Sequence, residues 1–205
     1  MAGSVSSHGS PHPIGPDDLY RTRPPWDIGR PQPAFLALAD AGAIRGRVLD
    51  VGCGTGEHVL MSAGLGLDAT GVDLAAAAIH AARDKARDRG RPARFLLQDA
   101  RQLADLGESF DTVLDCGLFH IFADDDRVTF VESLRSVLPP GGRYFMLCFS
   151  DRQPGDWGPR RVTRDDEITA AFADGWRVDT IEPATIEITT DPEGVRAWLV
   201  TLTRV

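Results

Sequence analysis

Cysteine is scarce: only Cys53, Cys116 and Cys148 occur in 205 residues, widely spaced and with no CxxC pair. That spacing supports neither a disulfide framework nor a zinc site, so no metal is expected and reduced thiols are the default. No apolar run approaches the roughly 20 residues needed to cross a bilayer, and the N-terminus has no apolar signal core. The expectation is a cytoplasmic protein with no membrane partner. Positive charge is also short: the formal net charge is −8. An acidic surface repels phosphate backbones, so nucleic acid is not the expected partner. Small neutral or weakly acidic molecules remain. With 42% hydrophobic residues the chain can build a sizeable core, and its length suits one domain with a short appendage. No internal repeat is visible, and oligomeric state leaves no sequence trace.

Glycine, by contrast, is concentrated where it matters. The run Val48-Leu49-Asp50-Val51-Gly52-Cys53-Gly54-Thr55-Gly56-Glu57-His58 reads as a strand, a tight turn and the start of a helix. Such a unit offers backbone N–H groups and a helix N-terminus to a ligand. Glycine tolerates the positive φ of such a turn and lets the backbone pass close to what is bound. Glycines at 52, 54 and 56 do not fit the dinucleotide fingerprint, which places its third glycine one position later, where Glu57 stands. Asp50 puts a carboxylate at the strand tip, where a bound cation would be held. The segment Asp50–Gly56 closely resembles the first motif of the class I S-adenosylmethionine-dependent methyltransferases. That resemblance implies S-adenosylmethionine (SAM) as cofactor, with Gly52, Cys53, Gly54 and Gly56 wrapping its methionine end and Asp50 near its amino group.

Further acids follow at strand ends. Asp73 lies about 20 residues beyond the first turn, where nucleotide-binding α/β folds accept hydrogen bonds from ribose hydroxyls. The Asp73-Leu74-Ala75 start of a helix also makes it a candidate cap. By resemblance, Asp99-Ala100 accepts from the adenine amino group. Asp115 and Cys116 lie beside the methionine moiety, and Phe119 and His120 near the acceptor. His120 is read as a tentative base, since an imidazole can take a proton near neutral pH; His58 is read as structural. No Asn-Pro-Pro-Tyr tetrad is present, which argues against the base-amine and protein-amide enzymes that carry it.

Residues 1–18 are poor in anything to bury and read as a disordered tail, its His8 and His12 solvated. Residues 19–205 read as a single domain. In the segment 19–33, prolines at 24, 25, 31 and 33 forbid a regular helix. Tyr20, Trp26 and Gln32 lie among them, and the segment reads as a lid over a cofactor pocket. Trp26–Pro33 also resembles the N-terminal segment of small-molecule methyltransferases of the thiopurine type, and more nearly of actinobacterial heterocyclic toxin methyltransferases. By that resemblance Trp26 and Gln32 cover the cofactor and Tyr20 contacts the acceptor. Trp157, in a polar loop at 150–159, is expected to form another acceptor wall.

Strands alternate with helices from Val48 to Phe149, and a helix is expected over 163–173. A terminal strand pair over 176–190 and 195–204 is joined by a turn at Asp191–Gly194. The expected fold is a three-layer α/β sandwich. The resemblance supplies a Rossmann-like sheet of seven strands, mostly parallel, with the C-terminal strand antiparallel. The expected activity is methyl transfer from SAM to O, N or S of a small heteroaromatic acceptor. The alternatives are a cofactor-binding regulatory or detoxification module without turnover, and methylation of a non-aromatic small molecule. A nicotinamide-dependent oxidoreductase is disfavoured by the glycine spacing.

Overall fold

The computed structural model describes residues 15–155 and 160–205. Seven strands form one sheet: β1 (Arg47–Val51), β2 (Asp68–Asp73), β3 (Arg94–Leu97), β4 (Thr112–Cys116), β5 (Arg143–Phe149), β6 (Trp176–Ile188) and β7 (Asp191–Arg204). Their order is β3-β2-β1-β4-β5-β7-β6. The first five pair in parallel, and β7 runs antiparallel to both β5 and β6. The sandwich expected from the sequence, with its last strand reversed, is the fold observed.

Helices α1 (Pro33–Asp40), α2 (Glu57–Gly64), α3 (Ala76–Asp88) and α4 (Asp124–Val137) surround this sheet. Alternation along β5 shows how they do so. Tyr144, Met146 and Cys148 join a cluster with Phe130 and Leu134 of α4, whereas Phe145 and Leu147 join Phe35 of α1 on the opposite face. A strand buried on both faces needs apolar residues at every position, and Tyr144–Cys148 supplies them. A third cluster packs Val59 and Leu60 of α2 with Ile79 and Ala82 of α3 over Ala69 and Phe95.

Three local differences from the sequence reading have physical causes. Residues 15–18 do not belong to a tail: Pro16–Tyr20 makes one turn of 3-10 helix, and the Asp17 carboxylate accepts from the Ala77 N–H at 2.9 Å, serving an otherwise open helix start. Residues 1–14, with His8 and His12, lie outside the described residues. The last hairpin turns at Thr189–Thr190, and Asp191 already pairs with Ile188. The Gly194 expected in that turn instead lies within β7, at φ +67°. The expected helix over 163–173 begins as a wide π-type turn at Arg164–Thr169; the Thr163 N–H is taken by the Glu167 side chain at 2.7 Å.

The sheet is uneven at one end. β5 pairs with β7 only from Ala197 onward, whereas β6 and β7 stay paired to Ile188 and Asp191. The hairpin tip therefore overhangs the carboxyl end of β5 and stands beside the loops that follow β1 and β4.

Candidate active site

In this strand order the chain leaves β1 and β4 in opposite directions, and their carboxyl ends open a crevice between them, the usual ligand position in such sheets. A cavity of about 660 Å³ occupies it, within the range of small-molecule sites. Its floor is the glycine turn. Gly52, Gly54 and Gly56 all have positive φ, at +66°, +52° and +88°. They differ in what a side chain would meet. A Cβ on Gly54 would approach the Tyr20 hydroxyl at 3.0 Å on the cavity side, whereas one on Gly56 would strike the Phe95 ring at 2.7 Å. Gly56 thus lets α2 pack on the sheet, and Gly54 keeps the cavity floor open.

The acids take distinct positions. Asp73 closes the end of β2: its Oδ2 accepts from the Gly54 N–H and its Oδ1 from the Ala75 N–H, both at 2.8 Å. It is thus both turn brace and cap, and each oxygen keeps a further lone pair. Burial raises its pKa. Asp99 lines the cavity but is gripped by the Arg101 guanidinium at 2.7 Å, which holds its carboxyl below the usual range. Asp115 is fully buried and off the cavity wall. It accepts from Tyr144 Oη and from the N–H groups of Leu118 and Phe119, and burial pushes it up to about 6.

Asp50 stands behind the glycine turn, 1% exposed and, like Asp115, off the cavity wall, and neither of its oxygens has a hydrogen-bond partner among the described residues. Burial, then Asp115, drives its pKa well up. Nδ1 of His58 stands 3.8 Å from Asp50 Oδ2, too far for a hydrogen bond. Nε2 of His58 accepts the Gln32 N–H at 3.2 Å, so the ring proton lies on Nδ1, facing Asp50. A buried carboxylate without donors is costly unless a ligand supplies the missing charge. This orphaned group fits the ammonium of a methionine end.

Over the cavity lies the proline-rich segment. Tyr20, Trp26 and Gln32 all line the cavity. Trp26 is half-exposed and meets Tyr20 edge-on, ring centroids 6.4 Å apart. The segment is tied down twice. Asp27 Oδ2 accepts from the Thr55 hydroxyl at 2.9 Å, and Lys85 reaches Thr55 Oγ1 at 2.6 Å and Glu57 at 2.8 Å. Gln32 uses both ends of its amide on the backbone of Glu187 in β6, at 3.0 and 2.8 Å. Its side chain is therefore an anchor for the segment.

The loop after β4 corrects one expectation. The Asp115 carboxylate folds residues 118–121 into a tight turn that sends Phe119 inward, fully buried against Phe172 with Arg127 over its ring. Phe119 packs the core and does not face the cavity. Cys116 and His120 do line it. The His120 ring stacks on Phe149 at 4.2 Å, and its Nδ1 accepts the Phe149 N–H at 3.1 Å. That bond places the neutral ring's proton on Nε2, which makes the cavity-facing nitrogen a donor; the expected base is not poised as one. Trp157 lies outside the described residues.

Sequence reading missed part of the wall. Ile186 and Ile188 of β6, with Val195 of β7, line the cavity from the overhanging hairpin, joined by Phe122 and Phe149. The usable signal was the length of the apolar alternation in β6, which outruns the strands it closes.

Comparison with known proteins agrees with this geometry. Residues 48–142 match the family model described as a methyltransferase domain. The 2-heptyl-1-hydroxyquinolin-4(1H)-one methyltransferase of Mycobacteroides abscessus is 35% identical over 165 residues, covering 79% of this chain and 72% of the relative. A structure reported under "Conversion of a Disulfide Bond into a Thioacetal Group during Echinomycin Biosynthesis" is 39% identical with a TM-score of 0.83, over 92% of this chain and 91% of that one. The fold also matches magnesium protoporphyrin IX methyltransferase from Synechocystis PCC 6803 with bound SAM, at 21% identity and a TM-score of 0.65, covering 84% and 76% of the two chains. A glycine turn of this spacing, an orphaned acid beneath it and these relatives lead to one conclusion: the chain belongs to the class I SAM-dependent methyltransferases, and SAM is its cofactor.

Proposed function

We propose that this methyltransferase acts on an oxygen, nitrogen or sulfur of a small heteroaromatic acceptor, by in-line displacement. The observation that carries the reading is the cavity's far wall. There the stacked His120–Phe149 pair meets Phe122, Ile186, Ile188 and Val195, an apolar, flat-sided surface suited to an aromatic ring. The quinolinone named for the Mycobacteroides abscessus relative is such an acceptor.

SAM supplies, when bound, a methyl group already activated on a sulfonium. The protein's task is to hold, orient and exclude water. In this reading the backbone of Gly52, Cys53, Gly54 and Gly56 cradles the methionine end, with Asp50 offering its unpaired carboxylate to the ammonium and Asp115 and Cys116 alongside. Asp73, with Leu74, uses its remaining lone pairs on the ribose hydroxyls, and Asp99 and Ala100 border the adenine. Trp26 covers the pocket on the segment that Gln32 anchors, and Tyr20 and His120 face the acceptor.

The test is a product assay on purified protein with SAM and a panel of hydroxylated quinolines and quinolones, phenols, aromatic thiols and heterocyclic amines. Mass spectrometry follows S-adenosylhomocysteine and the methylated acceptor. The expected result is a methylated heteroaromatic. Cofactor binding without product across the panel would retire the acceptor assignment in favour of a module without turnover.

A further inference from the structure

Methyl transfer to a neutral hydroxyl, thiol or ring N–H releases a proton that some group must take. At the acceptor end the titratable side chains on the wall, among the described residues, are Tyr20, Arg30, Cys116 and His120. None is poised to accept one. Burial holds the Tyr20 phenol and the Cys116 thiol protonated, raising both above their ordinary values. Arg30 is a guanidinium paired with Glu187. The groups nearer the glycine turn are engaged or held protonated: Asp27 by the Thr55 hydroxyl, Glu57 by Lys85 and Arg89, Asp73 by two backbone amides, Asp99 by Arg101, the acceptor nitrogen of His58 by the Gln32 N–H, and the Cys53 thiol by burial.

His120 decides the matter by its tautomer. Its Nδ1 is fixed as an acceptor by the Phe149 N–H, so Nε2 carries the proton and has no partner among the described residues. Charging the ring would require a proton on Nδ1, where that N–H already sits. Its surroundings oppose the cation as well. Burial comes first and Arg127 of α4 second, and together they lower its pKa to about 4. The neighbouring acids do not reverse this: Glu167 is spent on Arg127 at 2.6 Å, and Asp115 on Tyr144 and the two amides of its turn.

We infer that the acceptor is taken up as its anion, its charged heteroatom received by the Nε2–H of His120, so that the substrates are acidic hydroxy- or mercapto-heteroaromatics ionised near neutral pH. This rests on the acceptor reading above. The ionised heteroatom gives an electron pair to the methyl carbon, the methyl–sulfur bond breaks with its pair left on sulfur, and no proton is released. A donor is what such a site needs, because it holds the nucleophile without quenching it by full proton transfer.

Two variants and one acceptor series test this. His120→Asn keeps an acceptor near the Phe149 N–H but removes the donor; His120→Gln restores an N–H at about the Nε2 position. Loss of a hydrogen bond to a charged group is worth about a tenfold to hundredfold drop in kcat/KM. That drop is expected for His120→Asn, with His120→Gln within about fivefold of the parent. Across acceptors of graded acidity, the rise of kcat/KM with pH should track each acceptor's own pKa. A rise at one fixed pH for every acceptor, or a Gln variant as poor as Asn, would overturn the inference. Efficient turnover of acceptors that stay neutral would remove the inference alone. If SAM binds by calorimetry but no acceptor of either kind yields S-adenosylhomocysteine, both this inference and the acceptor reading fall.

Discussion

The imidazole of His58 accepts the backbone N–H of Gln32 at 3.2 Å, and through that bond the helix below the glycine turn grips the segment above the cavity. The bond requires a neutral ring, and burial enforces one, lowering the pKa of His58 to about 4 against the raising effect of Glu57. An unfolded chain protonates this histidine below its ordinary value of about 6.5, so between pH 4 and 6.5 the unfolded state holds the extra proton and stability rises with pH. His120, lowered to about 4, acts in the same sense. Asp115, raised to about 6, acts oppositely between its unfolded value and 6. Asp50 and Asp73, raised as well, add to that opposition, so urea unfolding of the parent reads the balance and the His58 share is taken by difference. In His58→Gln the slope of stability against pH should be lower than the parent's by up to one proton across this range, on the order of 3 kcal/mol of pH dependence. An unchanged slope would mean that His58 is charged in the fold.

Gly54 and Gly56 are two residues apart and should fail differently. In Gly56→Ala the new methyl meets the Phe95 ring and Ala82 at a positive φ, an overpacked and strained position expected to cost about 1–3 kcal/mol. Gly54→Val should instead abolish SAM binding by calorimetry, because its side chain enters the cavity floor. If Gly54→Val binds SAM normally, the methionine end lies elsewhere.

Asp50 sets function against stability. With no donor on either oxygen, Asp50→Asn removes a buried ionisable group that the free protein does not use. The Tm of the free protein should rise by a few degrees while SAM affinity falls tenfold or more. Scanning fluorimetry with and without SAM separates the two effects; a variant that loses stability yet binds as before contradicts the ammonium assignment.

The covering segment hangs on Asp27 and on Lys85, the one lysine in the chain. Asp27→Ala removes the acceptor of the Thr55 hydroxyl and the anchor of the Gly29 N–H. Trypsin should then cut severalfold faster after Arg21, the arginine of the segment not followed by proline, and SAM should restore less protection than in the parent. Equal cleavage rates would show that this latch does not hold the segment.

Much of this was legible because glycine and acid punctuation coincides with the strand ends. The turn at Gly52–Gly56, the acids at 50, 73, 99 and 115, and strands β1 to β5 fall where apolar runs stop. What escaped was set by contacts remote in sequence. Phe119 turns inward only because Asp115 accepts two amides ahead of it. Gln32 is committed to Glu187, 155 residues away. The tautomer of His120 depends on an amide of β5. Composition and periodicity describe a chain's neighbours along itself, and these three facts concern neighbours across the sheet.

The overhanging β6–β7 tip has a consequence for how such an enzyme diversifies. It carries Ile186, Ile188 and Val195 to the acceptor wall while Glu187 and Thr189 hold the covering segment by backbone bonds to Gln32 and Pro25. Glu187 also pairs its side chain with Arg30, but the other fastenings run through main-chain atoms of the tip and leave the side chains of Ile186, Ile188 and Val195 at liberty to vary. Substitutions there can reshape the acceptor's berth while the glycine turn, the acids and the latch stay as they are, so a new chemical clientele is reachable in small steps without rebuilding the engine that serves it.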